Sequence, residues 1–114
     1  MSKYDELTQT EHDKRIESEN VEQTMRKVRQ LQESYDEHFQ RANRFFEEIG
    51  FEFRGSDRAN VFGALKEEHH RQMLNIKNHL GAQEESLRAA NRKLETELDE
   101  VVAAKKQALR EESQ

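Results

Sequence analysis

An all-α fold, a long antiparallel two-helix hairpin of the coiled-coil type, is the fold class that the sequence predicts. Charged residues make up 38% of the 114 residues and the hydrophobic set only 32%, a balance that suits long exposed helices better than a thick globular core. The chain has no proline, so nothing forces a break in a long helix. Five of the six phenylalanines and two of the four glycines fall within residues 45–62, which we interpret as the region of the turn.

The first helix is predicted over about residues 4–49. Apolar or aromatic residues fill eight of nine positions spaced alternately by four and three residues, the a/d pattern of a helix that packs along one side. We call these positions the first seam: Val21, Met25, Val28, Gln32, Tyr35, Phe39, Ala42, Phe46 and Ile49. The same register extended backwards gives polar residues at 11, 14 and 18, which predicts a weaker helical stretch there.

The turn is predicted over about residues 50–56. Gly50 follows the last seam residue, a position where helices commonly end with positive φ. Ser56 or Asp57 would then cap the second helix. The clustered aromatic residues allow two interpretations, a local plug that seals the end of the hairpin or a tip that binds a partner. The residues of the tip are Phe51, Phe53, Gly55 and Phe62.

The second helix is predicted over about residues 57–111, and its seam is less uniform than the first because polar residues such as His69 interrupt it. The two arms are similar in length, so we expect them to lie antiparallel, with Phe39 close to His69. A lone hairpin covers each seam side chain on one side only, so we expect a homodimer of four helices or a helical protein partner. The side chains expected to pack within the chain or against that partner are Val28, Tyr35, Phe39, Phe46, Met73, Ile76, Leu80, Leu87 and Leu94.

Chemistry at a catalytic, cofactor or metal site is not expected. Glu67 and His70 form one Glu-x-x-His, but a di-iron bundle needs a second copy and two further inward carboxylates. Glu33 and Glu37 of the first arm lie off the seam and should point away from it. Neither a nucleophile arrangement nor a phosphate-binding glycine loop is recognisable in the sequence. We therefore expect a protein that is not an enzyme and that uses no cofactor and no metal.

Charge and hydropathy restrict the remaining classes of partner. The net charge of −5 and the pI of about 5.6 argue against a nucleic-acid partner, which needs clustered Lys and Arg. There is no apolar run of the roughly 20 residues that a membrane-spanning helix needs, and no signal-peptide core. We expect a cytoplasmic protein without membrane insertion, and export by a route independent of signal peptides stays open.

The turn sequence Phe53-Arg54-Gly55 and the helix–turn–helix plan resemble the WXG (ESAT-like) superfamily of type VII secretion, in which an aromatic-x-Gly sits in the hairpin turn. More closely, Asn43-Arg44-Phe45-Phe46-Glu47-Glu48 followed by a long Glu/Lys/Arg/Leu-rich second helix resembles the small α-helical proteins encoded beside LXG toxins in Gram-positive bacteria. The aromatic residue here is Phe rather than Trp, and the tail motif Tyr-x-x-x-Asp/Glu is absent, because no Tyr follows Tyr35.

The resemblance implies a chaperone-like targeting factor that packs against the helical N-terminal domain of an LXG toxin for type VIIb secretion. Since the tail motif is absent, the resemblance also implies that a second small helical factor supplies the export signal. Two alternatives stay open: a structural coiled-coil adaptor that oligomerises, and a prefoldin-like holdase whose aromatic tip grips unfolded chains.

Overall fold

Two helices account for nearly all of the chain in the computed structural model, which describes residues 2–113. Helix α1 spans Lys3–Phe53 and helix α2 spans Ala59–Ser113, and no strand occurs among the described residues. The helices contact each other side by side in opposite directions, as Phe39 with His69 in one region and Lys14 with Glu97 in another. The all-α class and the antiparallel helical hairpin are thereby confirmed.

The start of α1 is fixed by a side-chain cap. The Ser2 hydroxyl accepts a hydrogen bond from the Asp5 backbone N–H at 3.2 Å, and the Ser2 carbonyl accepts one from the Glu6 N–H at 3.1 Å. Both acids lie in the first turn, where a negative charge is favoured by the unpaired N–H groups of the helix end.

The turn lies later in the chain than the sequence predicts. Helix α1 does not end at Gly50 but continues to Phe53, and α2 begins at Ala59. The Ser56 N–H donates to the Phe53 carbonyl at 3.0 Å. Gly55 inside this turn has a φ of +76°, a conformation that residues other than glycine rarely adopt. Ser56 also provides the side-chain bond into α2, because its hydroxyl accepts from the Arg58 N–H at 3.1 Å.

Gly50 has a packing role instead of a terminating one. A Cβ built at Gly50 would lie 3.0 Å from the edge of the Phe62 ring, closer than ordinary contact. The glycine therefore lets α2 bring its first aromatic ring against the backbone of α1. The sequence prediction failed here because a glycine needed for close approach looks the same as one needed for positive φ.

Packing divides the chain into two units. The turn unit is Val28–Gln83, and the terminal unit comprises the residues before Val28 and after Gln83. Each has its own core of buried apolar side chains. In the turn unit these are Val28, Phe39, Met73 and Leu80, and in the terminal unit they are Met25, Leu94, Val101 and Ala108. Within the turn unit the Phe39 and His69 ring centroids lie 6.1 Å apart, which confirms the predicted pairing.

The polar stretch of α1, predicted to be weak, is helical and bonded across to α2 in the terminal unit. Lys14 contacts Glu97 at 2.5 Å, and Lys105 reaches Glu11 at 3.1 Å. The polar residues in this stretch of α1 thus pair with oppositely charged residues of α2. Along the described residues, neither helix contains a stretch apolar and long enough to cross a lipid bilayer.

Candidate partner-binding surface

The predicted packing residues differ in how far the chain itself covers them. Tyr35 is 36% exposed and lines an open groove of about 300 Å³ beside Lys77. Phe46, Ile76 and Leu87 are half-buried. The remaining five are buried within the chain and so offer no surface to a partner: Val28, Phe39, Met73, Leu80 and Leu94. Their position in the cores of the two units makes them structural residues.

The aromatic residues of the predicted tip also divide into two groups. Phe53 stacks on Phe62 with ring centroids 5.5 Å apart and planes 9° apart, and Phe62 meets Phe46 at 5.7 Å. These three half-buried rings close the turn end of the helix pair. Phe51, in contrast, is 70% exposed, and the Arg54 guanidinium lies 5.4 Å from the centre of its ring. Gly55 is exposed, and its role is the positive φ described above.

The seam pattern in the sequence did not single out an apolar groove near the turn. Phe45, Val61 and Leu65 are 56%, 61% and 58% exposed, and they line one open groove of about 310 Å³ between α1 and α2. We call it the turn groove; its full lining is Phe45, Phe46, Ile49, Phe53, Arg58, Val61, Phe62 and Leu65. The sequence did contain a signal for this groove. Val61 and Leu65 are spaced i,i+4, and each comes one position before a seam residue of the second helix.

Exposed apolar side chains are concentrated in the turn unit. Among the nine large exposed hydrophobic residues of the described chain, only Ile16 and Leu109 belong to the terminal unit. The other seven lie in the turn unit: Leu31, Tyr35, Phe45, Phe51, Val61, Leu65 and Leu74. Isolated exposed apolar residues are normal on protein surfaces, whereas contiguous apolar patches are typical of interaction surfaces.

A second groove of the turn unit is lined mainly by polar and charged residues, and we call it the polar groove. It has a volume of about 580 Å³, and Leu74 is its one large aliphatic residue. The other lining residues are polar or charged: Asn43, Lys66, Glu67, His70 and Arg71. Leu74 is 44% exposed, so this groove provides a matched comparison for Leu65 in the turn groove.

Ion pairs of the terminal unit shift the pKa of three side chains, Glu11, Lys14 and Glu97. The hydrogen bond from Lys105, aided by one from Arg15, lowers the pKa of Glu11. The hydrogen bond between Lys14 and Glu97 lowers the pKa of the Glu97 carboxyl and raises the pKa of the Lys14 ammonium. The Lys105 ammonium also lies 5.0 Å from the centre of the Tyr4 ring. These contacts link the two helices electrostatically and belong to the fold of this unit.

Histidine and carboxylate side chains do not gather into a metal site anywhere in residues 2–113, where no group of three possible ligands occurs. His69 instead packs between aromatic rings, with centroids 5.0 Å from Phe46 and 6.1 Å from Phe39. This is the seam position that the sequence predicted for it.

Comparison with known proteins gives one kind of match. No curated protein and no solved structure matches the chain. A family model described as "Protein of unknown function (DUF3958)" matches residues 2–108, which is nearly the whole sequence and includes the turn and most of both helices. The chain therefore belongs to the DUF3958 family.

Proposed function

We propose that this chain is a non-enzymatic targeting factor for an LXG toxin of type VIIb secretion, and that it binds the helical N-terminal domain of the toxin by helix–helix packing. The turn Phe53-Arg54-Gly55 and the residues before it carry the resemblance to the small helical proteins encoded beside such toxins. The structural observation that supports the proposal is the turn groove, in which Phe45, Val61 and Leu65 are all more than half exposed.

An exposed groove between two antiparallel helices suits a helical client. Two packed helices bury only the sides that face each other, and a third helix can lie in the groove between them with its own apolar side chains directed inward. Each large aliphatic or aromatic side chain that becomes fully buried contributes roughly 1.5–3 kcal/mol. Phe45, Val61 and Leu65 are 56–61% exposed, so their burial contributes only about half of that amount each, and the apolar side chains of the client helix contribute the rest of the driving force.

Co-expression tests the proposal directly. The chain is produced with the LXG protein of its genetic neighbourhood, once with the helical N-terminal domain alone and once with the toxin domain alone. We expect a stable complex with the N-terminal domain on size-exclusion chromatography and none with the toxin domain. Deletion of the gene should abolish secretion of that toxin, and a plasmid copy should restore it. A chain that elutes alone in both mixtures, together with normal secretion after deletion, would remove the proposal.

The export signal requires a second component in this scheme. As the resemblance implies, we propose that a second small helical factor binds the same toxin domain and carries the signal. The expected assembly contains the toxin domain and both small proteins, and the chain should appear in the culture medium only when all three are present. Export of the chain on its own would contradict this division of roles.

A prefoldin-like holdase is the second candidate function, and Phe51 favours it, because a phenylalanine that is 70% exposed at the turn could contact unfolded chains. Phe51→Ser should then abolish protection of a chemically unfolded reporter enzyme from aggregation. Leu109→Ser, which alters a leucine 51% exposed in the terminal unit, is the control and should leave protection intact. Protection that is absent from the wild-type protein would eliminate this candidate.

A further inference from the structure

We propose that the turn groove binds one amphipathic helix whose apolar side chains cover Phe45, Val61 and Leu65 and whose carboxylate pairs with Arg58. The inference deepens the proposed function, since it assumes that the partner is a helical client and states the chemistry by which that client is recognised. The occupant is thus an acidic helix with a short apolar stripe.

The dimensions of the groove set the length of that stripe. On α1 the lining extends from Phe45 to Phe53, which at 1.5 Å per residue is about 12 Å, or roughly two helical turns. On the other side it extends from Arg58, the residue before α2, to Leu65 in α2, a similar length. A client helix in this groove therefore presents three or four apolar residues, spaced i, i+3 or i+4, and i+7. The stripe is short, which leaves the remainder of the client helix free to be polar.

The charge of the client follows from Arg58. It is the one charged residue in the lining of the turn groove, and the lining contains no carboxylate. Across the described residues, the ion pairs of the chain do not include Arg58. The first turn of α2, which follows it directly, contains no acidic residue. An acidic client helix that covers the apolar residues would place a carboxylate next to the unpaired guanidinium of Arg58. Arginine binds carboxylates favourably, because two of its N–H groups can donate to the two carboxylate oxygens.

A second copy of this chain fits the groove less well. Two copies packed groove to groove would bring two Arg58 side chains into one interface, and neither lining would supply an acid to pair with them. Covering a charge without a partner opposes binding. A lysine-rich helix would meet the same repulsion, so charge complementarity selects an acidic helix over both alternatives.

The test uses two synthetic helical peptides and the full-length chain. Both peptides carry the same leucine stripe of two turns, and the positions beside the stripe are glutamate in one peptide and lysine in the other. The protein has a net charge of −5, so non-specific electrostatics would favour the lysine peptide. Binding is measured by fluorescence anisotropy at 0.15 M salt, where long-range attraction is largely screened. We expect the glutamate peptide to bind at least about tenfold more tightly, a difference of about 1.4 kcal/mol.

Three variants locate the binding site. Leu65→Ser in the turn groove should weaken binding of the glutamate peptide at least about fivefold. Leu74→Ser, the same substitution of an exposed leucine in the same helix but in the polar groove, should leave it unchanged. Arg58→Glu should remove or reverse the preference between the two peptides. All three changes lie at exposed positions, so each variant should retain the helical content of the wild-type protein. Circular dichroism checks this.

Several results would overturn the inference. Equal or tighter binding of the lysine peptide would do so, and so would a loss of binding in Leu74→Ser but not in Leu65→Ser. A homodimer in sedimentation equilibrium that Leu65→Ser converts to a monomer would assign the groove to a second copy. Failure of the LXG domain to bind, with the peptide results as expected, refutes only the proposed function. Conversely, LXG binding that is unaffected by Leu65→Ser and Arg58→Glu refutes only this inference.

Discussion

Replacement of Phe39 by alanine should destabilise the protein by about 3–5 kcal/mol, the usual cost of removing a buried aromatic side chain from a core. Phe39 is 5% exposed, and its ring stacks on Tyr35 at 5.7 Å and meets the edge of His69 at 6.1 Å. The alanine variant loses the burial of the ring and both aromatic contacts, and the helices on either side can collapse into the space only in part. Such a loss is a large fraction of the 5–15 kcal/mol stability of a typical domain.

The matched control is Phe51→Ala in the same helix. Phe51 is 70% exposed, so its removal should change the stability by less than about 0.5 kcal/mol. Both substitutions exchange the same side chain for alanine in α1, and they therefore share the same gain in helix propensity. The difference in stability between the two variants therefore measures the contribution of burying the Phe39 ring.

Thermal unfolding followed by circular dichroism at 222 nm measures both effects. An unfolding entropy of about 2.1 cal/mol/K per residue gives about 0.24 kcal/mol/K for the 114-residue chain, if it unfolds in one transition. The Tm of Phe39→Ala should then fall by about 12–20 °C and that of Phe51→Ala by no more than about 2 °C. Equal shifts in the two variants, or a fall of less than about 5 °C for Phe39→Ala, would show that the core of the turn unit is not as described.

Three further predictions concern glycines and ion pairs. Gly81→Ala should raise stability by about 1 kcal/mol in urea unfolding, because a Cβ there meets nothing within 4 Å and alanine is the better helix former. Gly55→Ala should lower stability by about 1–2 kcal/mol in the same assay, because φ is +76° at that residue. The lowered pKa values of Glu11 and Glu97 stabilise the fold above the ordinary carboxyl value of 4.5, and this contribution is lost as the pH falls below it. The raised pKa of Lys14 also stabilises the fold, but this contribution is present at low pH and is lost only as the pH rises above 10.5. Glu97→Gln should therefore have a lower Tm than the wild-type protein at pH 7, and the difference should shrink as the pH falls below 4.5; a constant difference would contradict the ion-pair account.

Periodicity allowed the helices and their facing side to be predicted, because a repeat of about 3.5 residues is a local property of each arm. The contact of Phe39 with His69 followed from arm lengths alone. The contacts of Lys14 with Glu97 and of Glu11 with Lys105 could not be found in this way, since a polar residue in one seam looks like a defect until its partner across the helix pair is known.

The turn groove escaped prediction for a different physical reason. The turn lies several residues later than Gly50 suggested, and this changes which side chains of α2 stand beside the end of α1. Val61 is consequently a neighbour of Phe45 and Phe46 in the structure, although in the sequence it looks like part of a helix start. Exposure depends on such neighbours, so a list of apolar residues cannot tell a core side chain from one that remains open to a partner.

The close approach at Gly50 has a consequence for how sequences of this family can diverge. One added methyl group at position 50 would press on the Phe62 ring, which in turn stacks on Phe53 and touches Phe46. A bulkier residue at position 50 is therefore expected only in relatives whose residue at position 62 is smaller than phenylalanine. The two positions should co-vary in size across natural sequences, whereas Gly81, which faces open space, should be free to change on its own.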